Sequence, residues 1–456
     1  MPKETDIRIV DITTEMSRVD AREPLKFGAS VVPDDTYCLV TATVENRRGE
    51  RAKGHGGIWL MDFWAFPDPR IEHPVREKAM IDFAERFCTS ASDYNEYAHP
   101  IDIALQLEEL FEPLAKEAGE KNGLPYPLPR LAQLVSASPL DAALHDGFGN
   151  VNGICTYDGY GPEFCNRDLS AYLGPEFKGK YVADYIRPAY PDRIPAFHLV
   201  GGLDTLRNKD VAPDKPDDGL PWAMEGWIER DGLTCLKVKL RGTDLEWDLD
   251  RICEVYRIAQ ELHAKLGISE LHMSADTNEQ CESPDYIVEM LRRLKEQEPG
   301  AFEAILYIEQ PTSRDLRGTR HDMSEIAALK PVIIDESLTS LEDFDLAMET
   351  NWSGVALKSC KGQSSAMIFA SRAREGGIPY TVQDLTNPDI ALVHSAGMAA
   401  RIYPMMGVET NSCQYFPAAN ERVAKVHPGV CRRRDGQLSL ESLGETGLGF
   451  RWDEMV

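Results

Sequence analysis

Five short runs decide the fold: Leu236-Lys-Val-Lys-Leu240, Met273-Ser-Ala-Asp-Thr-Asn278, Ile305-Leu-Tyr-Ile-Glu-Gln-Pro311, Val332-Ile-Ile-Asp-Glu-Ser337 and Gly354-Val-Ala-Leu-Lys-Ser359. Each carries a charged anchor at or near its end: Lys239, Asp276, Glu309, Asp335 and Lys358. Successive anchors stand 37, 33, 26 and 23 residues apart, about the length of one strand, one helix and two loops. The spacing predicts a βα repeat with a charged residue at the mouth of each strand.

Working outward, the same rhythm holds from Ile194 onward. Strands are predicted at Pro195 to Val200, Thr234 to Leu240, Leu271 to Asp276, Ile305 to Glu309, Val332 to Asp335, Gly354 to Lys358, Tyr380 to Gln383 and Gly407 to Glu409. Between them lie helix-favouring segments: Trp222 to Arg230, Glu246 to Leu266, Pro284 to Lys295, Met323 to Leu329, Leu341 to Glu349, Ser364 to Glu375 and Ile390 to Ile402. Eight strands with intervening helices give an α/β fold of the (β/α)8 TIM-barrel type with an irregular last repeat. An open doubly wound sheet would gather its site at one switch point, whereas here polar anchors close consecutive strands.

Upstream, alternating β-branched runs at Ile7 to Ile12, Tyr37 to Glu45 and Arg51 to Ile58 predict an antiparallel sheet. Thr13 to Ser30 reads as irregular, with Phe27-Gly28 as a lid candidate or an ordinary surface loop. Helical periodicity follows at Val75 to Phe87, Ile101 to Ala118 and Pro139 to Phe148. The expected division is an α+β capping domain over 1–150, a Gly/Pro/Tyr-rich linker or insertion over 151–193, the barrel over 194–420 and a C-terminal segment over 421–456. Two pieces of that last segment, Leu438 to Leu440 and Leu448 to Trp452, are expected to return to the capping domain.

At 456 residues the chain outgrows a single core. Its net charge of −26 repels a phosphate backbone, and no Lys/Arg-rich segment with interleaved aromatics offsets it, which argues against nucleic-acid binding. No apolar run approaches the roughly 20 residues needed to span a bilayer. The opening Met-Pro-Lys-Glu-Thr-Asp lacks an apolar signal region, so the expected location is cytoplasmic. Ten scattered cysteines form no Cys-x-x-Cys pair, which points to reduced core thiols.

The anchors suggest a chemistry. Asp276, Glu309 and Asp335 close three successive strands less than about 5 Å apart, where an all-oxygen set suits Mg²⁺; singly, each acid would more often cap the following helix. Lys237 and Lys239 are two apart on one strand and share a face, while Lys358 closes a strand on the opposite side of an eight-stranded ring. Such a set serves abstraction of a proton beside a carboxylate, the enediolate being stabilised by a divalent cation. A lysine base must be neutral, and a nearby second lysine lowers its pKa, a role open to Lys237.

In this ordered combination of Lys-x-Lys, Asp-x-Asn, Glu-Gln-Pro, Asp-Glu-Ser and a later strand lysine, the chain resembles the enolase superfamily, in its mandelate racemase and muconate lactonizing enzyme branch and most of all the muconate lactonizing subgroup. The likeness spans nearly the whole chain, including Ser138-Pro-Leu-Asp-Ala-Ala-Leu-His-Asp146 ahead of the barrel. It implies metal ligands at Asp276, Glu309 and Asp335, one Mg²⁺ per site, an acid/base pair at Lys239 and Lys358, and supporting roles for Lys237, Asn278 and Glu336. Glu336 competes with Asp335 for the third ligand position, and Lys361 with Lys358 for the basic one.

The implied reaction is α-proton abstraction from a small-molecule carboxylate, ranked racemase or epimerase first, with dehydratase and cycloisomerase as alternatives; a catalytically inactive metal- or metabolite-binding barrel is the rival from another class. A homo-oligomer is compatible with the resemblance. The substrate side departs from the family: Lys358-Ser-Cys-Lys-Gly-Gln-Ser364 stands where a Gly-Gly pair is frequent, and Gly407-Val-Glu-Thr-Asn411 replaces the Asp-x-Asp of dipeptide epimerases. Gln383, Asp384, Glu409 and Asn411 are candidates for substrate contact or for loop hydrogen bonding. His55, Trp59 and Trp64 are candidates to reach the mouth from the cap or to pack between domains, and His198, His272 and His394 read as core or rim residues.

Overall fold

The computed structural model describes residues 2–27 and 30–456. An antiparallel sheet of β1 (Ile7–Phe27), β2 (Ser30–Asn46) and β3 (Arg51–Trp59) opens the chain. A second sheet contains β4 (Arg193–Val200), β5 (Cys235–Lys239), β6 (His272–Asp276), β7 (Ile305–Glu309), β8 (Val332–Ile334), β9 (Gly354–Lys358), β10 (Tyr380–Gln383) and β11 (Val408–Glu409). Neighbours in this series pair in parallel, and β11 pairs with β4 to close an eight-stranded barrel. The eight expected strands are all present, three of them with the expected ends.

Several elements differ from the sequence reading, each for a physical reason. The stretch expected to be irregular after Ile12 is the outer half of β1, which pairs with β2 almost to the hairpin tip, with register shifts after Ile9 and Asp20. From Thr13 to Ser17 its residues alternate between exposed and half-buried, so one wet face hides the strand behind polar side chains. Gly28, half of the proposed lid, lies outside the described residues.

The helix expected to begin at Pro139 spans Arg130–Asn152 and carries that proline inside it. Pro139 cannot donate to the carbonyl four residues back, but Ser138 Oγ donates to that same Val135 oxygen at 2.8 Å, and the helix is buried along most of its length. Conversely, the continuous helix expected from Ile101 to Ala118 is two, Pro100–Leu107 and Phe111–Lys121, joined by a 3-10 turn. The restart places Pro113 in a first turn, where its missing N–H costs nothing. Met323 to Leu329 contracts to Ser324–Ala327.

The C-terminal pieces part company. β12 (Gln437–Ser439) adds antiparallel to barrel strand β4 instead of returning to the cap; Leu438 at its centre is wholly buried there. The chain from 447 to 452 does meet the cap: Leu448 N donates to Asp146 Oδ1 at 2.8 Å and Trp452 stacks on His55 with centroids 3.9 Å apart. No helix of the described residues is long and apolar enough to cross a membrane.

Candidate active site

Strand periodicity points residues 237 and 239, 309, 358, 383 and 409 into one lumen. Register ties them into a ring: Lys239 pairs with Asp276, Asp276 with Glu309, Lys358 with Gln383, and Gln383 with Glu409. Below them Phe197, Cys235, Tyr307, Ile333 and Ala356 form a small apolar plug. The charged layer therefore rests on a dry floor.

The structure brings the expected residues together as an alternating charge network. Lys239 Nζ lies 2.5 Å from Asp276, and Lys358 Nζ lies 2.8 Å from Asp335. Lys237 occupies the centre, 2.8 Å from Glu309, 2.8 Å from Glu409 and 3.1 Å from Asp276. Gln383 Nε2 donates to Glu309 at 2.6 Å. All are buried.

Burial and charge act in opposition on every group. Burial pulls the Lys237 ammonium down, but Glu309, Glu409 and Asp276 more than reverse it. Lys358 is likewise penalised by burial and raised on balance, chiefly by Asp335. Burial raises Asp276, yet Lys239 and Lys237 hold it well below the usual carboxylate range. Glu309 goes the other way: burial, reinforced by Asp276, Asp335 and Glu409, outweighs Lys237 and pushes it up. The lowered lysine pKa expected of a base is thus not a feature of Lys358 here, because a carboxylate rather than an ammonium is its nearest neighbour. Lys237 acts as counter-ion to three acids.

Of the two alternatives left open by the sequence, Lys361 bonds the ring directly and Glu336 is linked to it through Asn278, whose backbone N donates to Asp276. Lys361 shares Asp335, its Nζ 3.1 Å from Oδ1 and also bonded to the Asp335 carbonyl. Glu336 accepts from Trp64 Nε1 at 2.9 Å and from Asn278 Nδ2 at 3.4 Å, and its other oxygen is buried without a partner. Asp384 accepts from Thr386 N at 2.6 Å and Asn411 Oδ1 from Leu199 N at 2.7 Å, so each also braces its loop.

Gln310 and Arg314 add to the expected set, and Trp64 takes the first of its two expected roles by reaching the mouth from the cap. Gln310 sits at φ +30° and bridges two strand mouths: Oε1 accepts from Asp335 N at 2.8 Å and Nε2 donates to Ser337 Oγ at 2.8 Å. It fixes the backbone that presents Asp335. Trp64, from the short cap helix Asp62–Ala65, lies with its ring centroid 4.6 Å from Lys358 Nζ and 5.6 Å from Lys361 Nζ, within cation–π range. Arg314 donates to the Trp64 carbonyl at 3.0 Å and pairs with Glu279, holding that roof to the β6 and β7 loops. The signal for Arg314 and Glu279 was their charge just beyond two anchors. His55 instead packs against Trp452, and Trp59 against Phe416 with centroids 4.7 Å apart. His198 and His394 bond Arg433 and Gln363 in buried settings.

The donor set suits a hard divalent cation in kind: Asp276, Glu309 and Asp335 supply oxygen only, from three adjacent strands. Their oxygens turn to the lysines, and no group of three or more His, Cys, Asp or Glu among the described residues is arranged to hold a metal as it stands. Binding would require lysine contacts to be exchanged for the ion.

A closed barrel with acids on three adjacent strand ends, lysines on opposite strands and a separate antiparallel cap defines the class of protein. The family Enolase C-terminal domain-like matches residues 222–456, and the chain belongs to it. Solved structures agree on the fold. A dipeptide epimerase from Enterococcus faecalis V583, complexed with Mg and the dipeptide L-Leu-L-Tyr, is 15% identical over 97% of this chain and 99% of its own, with TM-score 0.63. A muconate lactonizing enzyme from Pseudomonas fluorescens, complexed with muconolactone, is 18% identical over 97% and 96%, TM-score 0.62. An N-succinyl Arg/Lys racemase from Bacillus cereus ATCC 14579 is 16% identical over 99% and 97%, TM-score 0.61. Comparison with proteins of curated function returned no match.

Proposed function

We propose that this chain is an enzyme that removes the α-proton of a small-molecule carboxylate and returns a proton to the same carbon, as a racemase or epimerase. One observation carries the reading: Lys239 on β5 and Lys358 on β9 stand four strands apart in a closed ring of eight, hence on opposite walls, and both are buried. Either ammonium, once deprotonated, is positioned to take a proton from one face of a carbon held between them while the other delivers to the opposite face.

Asp276, Glu309 and Asp335 would hold Mg²⁺, which when bound supplies positive charge to the substrate carboxylate. Lys237 keeps Glu309 and Glu409 compensated below the reacting layer, and Trp64 excludes water above it. The family match and the Mg named with the Enterococcus structure support this assignment.

The test is solvent-deuterium incorporation at the α-carbon of a panel of carboxylic acids, with Mg²⁺ and with chelator. Exchange that depends on Mg²⁺ is expected. Full exchange retained in Lys239→Ala would refute that lysine's role, and metal affinity unchanged in Asp276→Asn would refute the three-carboxylate site.

A further inference from the structure

Seven of the ten cysteines are buried, and Cys165, Cys413 and Cys431 are half-buried. The last two meet. Cys413 lies in the short helix Ser412–Tyr415 that follows β11, and Cys431 ends the short helix Pro428–Cys431, 18 residues further along the chain. Their side chains hydrogen-bond to each other, and both line one small cavity together with Val430 and Leu438.

The segments that carry them are already tied across the same gap. Arg433 Nη1 donates to the Thr410 carbonyl at 3.3 Å, and Asn420 Nδ2 donates to Ser412 Oγ at 2.7 Å. Side chains whose thiols touch have Cβ vectors that converge, and convergence decides whether a bridge can close. Access separates this pair from the core thiols, since a fully buried cysteine in apolar surroundings is inert. The pair uses none of the groups proposed for proton transfer.

We propose that Cys413 and Cys431 are a redox-sensitive pair, joined by a peroxide into a disulfide that clamps the segment between them. The Cys413 sulfur, as thiolate, attacks one peroxide oxygen and the O–O bond breaks; the departing hydroxide takes a proton and leaves as water. The Cys431 sulfur then attacks the resulting sulfenic sulfur, the S–O bond breaks, and a second water carries off the remaining proton. The peroxide is reduced by two electrons, which the two thiols supply. Contact with Cys413, and burial after it, make Cys431 hold its proton more tightly, so Cys413 attacks first and Cys431 resolves.

The clamped segment carries side chains that brace the barrel mouth. Tyr415 OH donates to Asp204 at 3.0 Å, and Arg422 Nε donates to Asp389 at 2.7 Å. Closing the loop removes open conformations of the segment instead of adding contacts, so its effect is slower local opening.

The test treats the reduced, desalted full chain with a small molar excess of hydrogen peroxide, alkylates the remaining thiols and maps the peptides with and without reductant. A linked pair containing Cys413 and Cys431, with loss of two of the ten thiols, is expected. Trypsin cleavage of the native oxidised chain at Arg422 and Lys425 should slow about tenfold against the reduced chain and recover with dithiothreitol. Cys431→Ser should gain a sulfenic or sulfinic acid at Cys413 in place of the bridge, with cleavage unchanged by peroxide. Absence of the linked pair in the wild type, or equal yield of bridges to other cysteines, would overturn the proposal whatever the variant does. A bridge that leaves cleavage at Arg422 and Lys425 unchanged would overturn the clamp.

Discussion

Replacing Lys237 by methionine tests whether the centre of the barrel is held by charge compensation. The ammonium is 2% exposed and lies within 3.1 Å of three carboxylates, those of Glu309, Glu409 and Asp276. One such contact at about 4 Å is worth roughly 4 kcal/mol at an effective dielectric near 20, before desolvation is subtracted. Removing one partner of a buried pair typically costs 3–5 kcal/mol, because the remaining charge is stranded. We expect Lys237→Met to lose about 3–5 kcal/mol at pH 8.

The sign of the pH dependence follows from the acids left behind. Glu309 is already raised by burial and by its acidic neighbours, with Lys237 the opposing influence, so its pKa climbs further in the variant. A carboxyl raised in the folded state disfavours folding as pH rises from its unfolded value to its folded one, and the penalty recedes as pH falls. With Glu309 already pushed up to about 8 in the wild type, both folded proteins hold it protonated well below that value, so the deficit should grow as pH rises from 7 to 9. Urea unfolding of both proteins at the two pH values measures it. A deficit below about 1 kcal/mol, or one equal at both pH values, would show that Lys237 does not compensate these acids.

Other outcomes follow from the same contacts. Trp64→Ala removes a buried ring and its bond to Glu336; it should cost about 3–5 kcal/mol by urea unfolding and increase quenching of the remaining tryptophans or proteolysis near residue 64 if the roof opens, and unchanged stability would refute the packing role. Gly54→Ala places a Cβ 2.1 Å from Ala143 O and from Gly147 N on the buried cap helix, so a loss of about 1–3 kcal/mol is expected, and a neutral variant would show that the helix can shift. Burial lowers His99 to about 3, with neighbouring His145 adding to the effect. Because this base is protonated more readily when unfolded, its contribution is full above about pH 6.5 and is lost toward pH 3, at about 1.4 kcal/mol per pH unit. His99→Asn should flatten the acid limb of the stability profile by that slope, and an unchanged slope would exclude His99 as its source.

The Lys-x-Lys, Asp, Glu, Asp and Lys anchors stand out because short apolar runs ending in a charge, repeated at intervals of 23 to 37 residues, are local properties, readable without knowing what each strand faces. Those features gave the repeat, the barrel, the inward face of each strand and the family. Local pattern misread the outer half of β1, whose polar residues need only one half-buried face, and the helix through Pro139, where Ser138 supplies the missing hydrogen bond. It also left Leu438 to the cap, although it caps the barrel edge beside β4.

Only closure of the barrel decided the rest. It set Lys237 among acids from β6, β7 and β11, residues up to 172 positions away in the chain, made Gln310 the brace of Asp335, and carried Trp64 from the cap onto Lys358. These contacts arise where elements remote in sequence are pressed together by burial, and the cost of an uncompensated buried charge selects them; no spacing along the chain encodes that cost.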